Sequence, residues 1–514
     1  MKKIFLVIMI GLACMLSAAC QQEDASGEAE GKIGSPAAAA GGSELNISVT
    51  SFSNINPLLT QNESVSQALN LVYEGLFEID SSGEVQAVLA DSYSWEVSRS
   101  AVTITLKSGV KWHDGRELTA EDVKFTIDLI KTMPESPYYI FASSIKSVQE
   151  KGSGTVLIEF AAPGASQVEK LVFPIVPKHK LLKLSKEQLL LDKNNMIGCG
   201  KYEISEFNKR KLIKLKSFEG YYGKRPSIEG INILIVPDIQ AQKEYFQSQE
   251  IDFYNDEQYY DKKYGKLGIK VYDYFNYSFD ILAFNLGKGS FADMAFRKAL
   301  ASAIDREKIA GEAYMGYADV ADLPIIPKSG SKDKKSNAYK HNPESAKAYF
   351  KKNPDKKTPL RLLVNSENEQ RVKAASVIKK NLTDAGVEIE VVEKPWDEYS
   401  QDLKSGNYDM ALAGYKLPAA GQLGYVLGTQ GGGNFMGFSD PGVDMLIAGI
   451  ESSVTGTEKA EKVSKLQSAY NSKMPYLGLV MKKSSAVVNS RISGAFKPSK
   501  YNIYMGIEDV AVEK

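Results

Sequence analysis

The chain has 514 residues, 43% hydrophobic and 25% charged, too long for a single hydrophobic core and composed like a globular protein of two or three domains. Lys+Arg and Asp+Glu each number 63, so the formal net charge is zero and nothing electrostatic points to nucleic acid as a partner. Of three cysteines, Cys14 and Cys20 lie in an N-terminal apolar segment, which leaves Cys199 alone in the body and excludes an internal disulfide there.

Met1-Lys2-Lys3 is a short basic start, and Ile4 to Met15 is an apolar run too short for an ordinary transmembrane helix. Leu16-Ser17-Ala18-Ala19-Cys20 then sets small residues before a cysteine. It resembles a bacterial lipoprotein signal, in which that cysteine is diacylated and becomes the mature N-terminus, although Ser17 stands where Leu is usual. Cleavage by the ordinary secretory route is the alternative. Two acyl chains would attach the protein durably to a membrane. Residues 21–44, rich in Gly, Ala, Ser and Glu, offer little to bury and read as a disordered tether.

From Leu45 the pattern is globular. LNISV alternates, and Asn56-Pro57 marks a turn. Val65, Ala68, Leu69 and Val72 give a helical stripe over 64–73. Val102, Ile104 and Leu106 alternate as a half-buried strand ended by Gly109. Thr119-Ala120-Glu121-Asp122 opens a helix as a near capping box, continued by Val123, Ile127 and Ile130. Ile231 to Val236 reads as a buried strand. A helix starts at Asp293 and carries Phe296, Ala299, Leu300, Ala303 and Ile304, and Ser329 to Lys340 is a lysine- and serine-rich loop. Strand (Leu360 to Val364), helix (Gln370 to Leu382, ended by Gly386) and strand (Val387 to Val392) follow, and Asp440-Pro441 caps another helix. Strands alternate with helices throughout, so the fold class is α/β.

Catalytic and cofactor signatures are missing: there is no GxSxG elbow, Walker loop, HExxH or EF-hand loop. Gly431-Gly432-Gly433 has no Lys-Ser/Thr after it and reads as a loop. Cys199 has no histidine partner and reads as a buried small residue. His113, His179 and His341 are dispersed without metal-ligand spacing and read as structural. Asp256-Glu257 are adjacent in sequence, so on an extended segment they face opposite ways and suit a solvated loop better than an acid–base pair. No metal site, cofactor or enzyme activity is expected. The 27 Tyr against 3 Trp suit a wet, adaptable binding cleft.

Several ordered strings resemble the peptide/nickel class of ABC-transporter solute-binding proteins, the group of oligopeptide- and dipeptide-binding proteins, from Leu45 to the C-terminus. Asn56-Pro57 with Val72-Tyr73-Glu74-Gly75-Leu76 is similar to the opening NPL…VYEGL. The most specific block joins Leu89-Ala90-Asp91-Ser92, Trp95-Glu96-Val97, the run Leu106 to Gly115 (LKSGVKWHDG) and Leu118 to Val123 (LTAEDV). Gly198-Cys199-Gly200-Lys201-Tyr202 stands for GTGPY, and Ser248 to Phe253 for SGEIDL with Gln249 in the glycine place. Phe284-Asn285, Ala303-Ile304-Asp305-Arg306, Asn342-Pro343-Glu344, Trp396, Tyr408-Asp409 and Phe438-Ser439-Asp440-Pro441 continue it.

The resemblance implies a two-lobed periplasmic-binding-protein-like (Venus flytrap) α/β fold with an additional subdomain inserted in lobe I, closing on its ligand by a hinge. Lobe I would comprise 45–79, 171–280 and 482–514, the inserted subdomain 80–170, and lobe II 281–481. It implies a monomer on the outer face of the bacterial cytoplasmic membrane, extracellular or periplasmic and anchored through Cys20. That protein would pass peptides or peptide-like ligands to the membrane subunits of an ABC permease. A receptor for nickel, a metallophore or another non-peptide solute, and a peptide sensor without transport, are the alternatives.

By position the family's ligand contacts fall on Gln61, Asn62, Glu63, Asn255, Asp256 and Glu257 of lobe I, and Tyr138 or Tyr139 of the inserted subdomain. In lobe II they fall on Trp396, Gly414, Tyr415 and Lys416. Family peptide binders carry an Asp after the Trp of GW-x-x-D that pairs with the ligand's ammonium. Here Pro418 takes that place, and no acid follows until Asp440. Either Glu63, Asp256 or Glu257 substitutes, or the ligand is anionic, N-blocked or not a peptide.

Overall fold

The computed structural model describes residues 44–513 apart from 98, 257–267, 327–338, 358, 418–421 and 454. Cys14, Cys20, residues 21–43 of the tether, Glu257, Pro418 and most of the 329–340 loop therefore lie outside the described residues, whereas Glu44 is not tether but the first residue of a strand. Among the described residues no helix is long and apolar enough to cross a membrane.

One eleven-stranded sheet runs through the molecule. On one side Glu44–Thr50 lies parallel to Gly230–Val236, with Leu212–Ser217 and Tyr202–Asn208 antiparallel beyond it. Leu45, Ile47 and Val49 alternate into the core, as period-two patterning requires. On the other side Leu360–Asn365 lies parallel to both Ile389–Lys394 and Met410–Lys416. Two long strands, Lys270–Phe284 and Tyr476–Val488, pair antiparallel in the middle and belong to both halves. Their ladder breaks between Phe275 and Phe279, where Tyr277 holds a φ of 60° and Asn276 donates to Ser484 Oγ at 2.9 Å. A β-bulge bends and twists a strand at such a point.

Buried apolar side chains sort about the same break. One cluster draws on Leu45 through Tyr274 and Ala486 through Val510, and two others draw on Tyr277 through Met481. A small fourth cluster sets Tyr317 with Tyr254 and Val487. Two cores joined by two long strands make a two-lobed α/β fold.

A separate four-stranded antiparallel sheet orders Ala90–Trp95, Ala101–Leu106, Thr155–Phe160 and Ile145–Glu150. Val102, Ile104, Val156 and Ile158 share its buried cluster with Val123, Ile127 and Ile130 of the Ala120–Lys131 helix. That helix opens as expected, with Thr119 N–H donating to Asp122 Oδ2 at 2.9 Å. The helix expected over 64–73 is shorter, Glu63–Leu69, and Asn70 closes it with its N–H on the Gln67 and Ala68 carbonyls. The Asp293 helix is capped by that side chain, which accepts from Ala295 N–H, and runs Met294–Ala303.

His113 is held by main chain. Its Nδ1 accepts from Gly198 N–H at 3.1 Å, and its Nε2 meets Gly200 O at 3.1 Å. Burial pushes the imidazole below its ordinary value, which suits the neutral Nε2–H tautomer this bonding needs. Cys199, between those glycines, is fully buried, and burial pushes its thiol up, so it behaves as a small packed residue.

Candidate functional site

In open α/β sheets ligands bind in the crevice outside the carboxyl ends of the parallel strands. Here those ends carry Thr50 and Asp256 in the first lobe, and Asn365, Lys394 and Lys416 in the second. The segments that follow supply Asn62 and Glu63 from one lobe, and Glu367, Gln370, Arg371 and Trp396 from the other. Lys416 joins the two sets, its Nζ lying 3.2 Å from Glu63 Oε2.

Glu63 is the centre of this contact. It opens the Glu63–Leu69 helix, where the N-terminal dipole favours a carboxylate. It pairs with Lys500 as well as with Lys416. Burial by itself would raise its carboxyl, but the two lysines outweigh it and hold the group below its ordinary value. The side chain is 39% exposed, so solvent screens the pair and its removal should weaken closure by no more than about 1 kcal/mol. Glu63→Gln is thus expected to shift the lobes a few-fold toward the open form, read by small-angle scattering. Because the carboxyl is depressed in this contact, the contact is intact above the ordinary carboxylate range and is lost as pH falls through the depressed value. An unchanged scattering profile in the variant would show that the contact holds nothing closed.

Other expected residues have settled partners. Asn62 caps the same helix, accepting from Val65 N–H at 3.1 Å and donating to Thr50 Oγ1 and Ser51 O, so its amide is engaged within the lobe. Gln61 donates to Glu135 O at 2.9 Å and ties the Asn-Pro loop to the inserted sheet's segment. Tyr138 packs beside Phe173 with ring centroids 6.3 Å apart, and burial pushes its hydroxyl up while a hydrogen bond with Ser66 opposes the shift. Tyr139 opens the short Tyr139–Ala142 helix, half-buried.

Asn255 accepts from Tyr274 Oη at 2.9 Å. Asp256 departs from the solvated loop expected for it. It ends the strand Phe253–Asp256, is 3% exposed and pairs with Lys243 at 3.2 Å. Pairing with the Tyr476–Val488 strand, through Ser485, draws this residue inside. Trp396 is the first residue of the Trp396–Ser405 helix, 53% exposed, with its N–H on Glu367 Oε1 at 3.3 Å and its ring 5.8 Å from Tyr399. Tyr415 is buried and donates to Gly433 O at 2.8 Å.

Gly414 has a steric reason. A Cβ there would lie 1.9 Å from Asp280 Oδ1 and 2.0 Å from Arg371 Nη2. An ion pair occupies the space over that glycine, and sequence reasoning missed it. Asp280, 1% exposed, takes Arg371 Nη2 at 2.9 Å and Nε at 3.3 Å, Tyr314 Oη at 2.7 Å and Lys482 Nζ at 3.0 Å. Burial alone would raise its carboxyl, but the charges of Arg371 and Lys482 reverse that and hold it well below the usual carboxylate range. An acid inside the apolar run Phe279-Asp280-Ile281-Leu282 was the available signal for it. Arg371 and Lys482 gave none, since a basic residue on a helix or a strand usually faces solvent.

A family model described as bacterial extracellular solute-binding proteins, family 5 Middle, matches residues 84–433. The oligopeptide-binding protein AppA of Bacillus subtilis is 26% identical over 430 residues, covering 79% of this chain and 78% of that protein. The dipeptide-binding protein of Escherichia coli is 26% identical over 372 residues, covering 65% and 68%. Among solved structures, HbpA2 from Haemophilus parasuis superposes with a TM-score of 0.79 at 19% identity, over 92% of this chain and 100% of that one.

Proposed function

Because the chain belongs to the bacterial extracellular solute-binding proteins of family 5, we propose that it captures peptides or peptide-like solutes between its lobes for an ABC importer. Its work is then solute binding, and not catalysis. The observation that carries this is the Lys416–Glu63 contact, which brings the carboxyl ends of the strands in both lobes to one place. Two similar proteins are named for binding oligopeptides and dipeptides. An extended peptide offers the same main-chain groups whatever its sequence, so a cleft lined by strand ends suits such ligands as a class.

In this reading the lobes are 45–79, 171–280 and 482–514 against 281–481, with 80–170 inserted in the first, and they hinge at the strand pair. Cys20 carries the lipid that keeps the protein at the outer face of the cytoplasmic membrane. The protein works as a monomer that docks on the permease. Glu63 and Asp256 already neutralise lysines, which favours an anionic, N-blocked or non-peptide ligand over one presenting a free ammonium.

Native mass spectrometry of the full chain, extracted in detergent and followed by denaturing identification of what co-purifies, tests the proposal. A set of short peptides supports it, and a single non-peptide mass would overturn the peptide part and leave solute capture standing. The same spectra give the acyl mass on Cys20, which Cys20→Ala must lose if the anchor is real.

A further inference from the structure

Two short helices of the first lobe are pinned from below and leave apolar side chains outside. Lys178–Leu181 buries Leu181, and Lys186–Leu189 buries Leu189. The residues that follow each of them turn outward: Leu182 is 56% exposed, Leu190 45% and Leu191 46%. The backbone that carries them is fixed. Side-chain amides of Asn56 and Asn195 each donate to the Leu189 carbonyl at 2.8 Å, and Asn195 also reaches that of Leu191 at 3.0 Å. A single exposed leucine is ordinary, but three on one short segment make a patch that marks an interaction surface.

Cations surround the leucines. Lys183 and Lys193 lie on the segment itself, and the turn between Tyr202–Asn208 and Leu212–Ser217 brings Lys209, Arg210 and Lys211 beside it. The join is direct. Lys209 Nζ lies 3.2 Å from Asp192 Oδ2 and donates to the Ser53 carbonyl, while Ile55 N–H donates to Asp192 Oδ1 at 3.0 Å. Among the described residues Lys183, Lys193, Arg210 and Lys211 are exposed and make no ion pair. The acids nearby are engaged: Asp192 by Lys209, Glu135 by Lys186 at 2.7 Å and Glu206 by Lys214 at 3.2 Å. Glu187 accepts from the Ser185 hydroxyl at 2.7 Å. The patch is left with an excess of positive charge.

We propose that these leucines and cations dock the first lobe on an anionic phospholipid surface, the leucines entering the headgroup layer and the basic side chains pairing with lipid phosphates. Charge complementarity selects that occupant. Apolar side chains ringed by unpaired cations are the composition of interfacial segments, and long basic side chains reach phosphates while their stems stay on apolar surface. The proposal draws in part on the reading of Cys20 as a lipid anchor. The chain from Cys20 to Glu44 spans at most about 80 Å, so an anchored body stays where a weak surface attraction counts.

The test uses the full chain, extracted in detergent and bound to vesicles of phosphatidylcholine alone, or of phosphatidylcholine and phosphatidylglycerol in roughly equal parts. Flotation reports attachment, and hydrogen exchange read by mass spectrometry reports the patch. On the anionic vesicles the amides of 182–193 and 208–211 are expected to exchange about threefold more slowly than on the neutral ones. Lys193→Gln with Arg210→Gln removes two unpaired cations and should weaken the surface attraction roughly 10- to 30-fold, which returns exchange to the neutral-vesicle rate. Leu190→Ser with Leu191→Ser should do the same. Circular dichroism checks that each double variant is folded, and either one suffices if the other is not.

Attachment to both kinds of vesicle with equal exchange would overturn the lipid surface and leave the anchor standing. Flotation with anionic vesicles only, lost in either double variant, would support the surface and sink the anchor. Slowing that persists in both double variants, or that appears only once the permease is added, would overturn the lipid surface, the second result in favour of a protein partner.

Discussion

Asp280→Ala is expected to lower the unfolding free energy by about 3–5 kcal/mol, the usual cost of taking one partner from a buried charge cluster. The loss is large because what remains is worse than a missing contact. Arg371 and Lys482 would face each other with their common carboxylate gone, and Tyr314 would lose its acceptor. Urea unfolding at neutral pH measures it, and a change under about 1 kcal/mol would show that the cations relax into solvent at little cost.

The acid limb gives a second reading of the same group. Its carboxyl is depressed in the folded protein, so its stabilisation is fully present above the ordinary carboxylate value and disappears as pH falls toward the depressed one. The wild type should therefore lose stability progressively in acid, and Asp280→Ala should show a flatter acid limb. Parallel acid limbs would mean that other carboxylates dominate acid unfolding.

Gly198→Ala is the second large effect, at about 3 kcal/mol, the upper range for overpacking. A Cβ there would lie 1.9 Å from the Val72 carbonyl oxygen, and backbone on both sides cannot step aside as a flexible side chain would. The same stretch makes the bonds that join the WHDG turn to the first lobe: His113 N–H to Gly198 O at 2.9 Å, Gly200 N–H to Val72 O at 2.8 Å and Tyr202 N–H to Leu71 O at 3.0 Å. Moving Val72 to admit a methyl group strains all of them. Gly154→Ala is the control, since nothing lies within 4 Å of where its methyl group would stand, and it should cost under about 1 kcal/mol. Equal stability of the two variants, by thermal unfolding, would refute the close-approach argument.

Much of this was written in local pattern. Alternation at Val102-Ile104-Leu106 gave a strand because a half-buried strand must present every second side chain to a core. Asp440-Pro441 gave a helix start because an Asp side chain can hold the orphan N–H of Val443 while proline needs no donor of its own. Asp256 went the other way. Its neighbours suggested a polar loop, yet strand pairing with a segment more than two hundred residues later buried it against Lys243.

The amino-acid sequence by itself determined the α/β class and the ordered motifs of the solute-binding family, because each rests on residues adjacent in the chain or spaced by one helix or strand period. Only the tertiary structure decided which charges meet. Asp280, Arg371 and Lys482 lie far apart in the chain, as do Glu63, Lys416 and Lys500, and no local period relates them. Their pairing, and the excess positive charge it leaves on one wall, follows from strand register across the crossing strands: Asp280 opposite Gly414 and Val480, with Lys482 two residues on from Val480. Electrostatics at that wall is a property of the fold, since Coulomb attraction depends on distance in space and burial removes the water that would otherwise screen it.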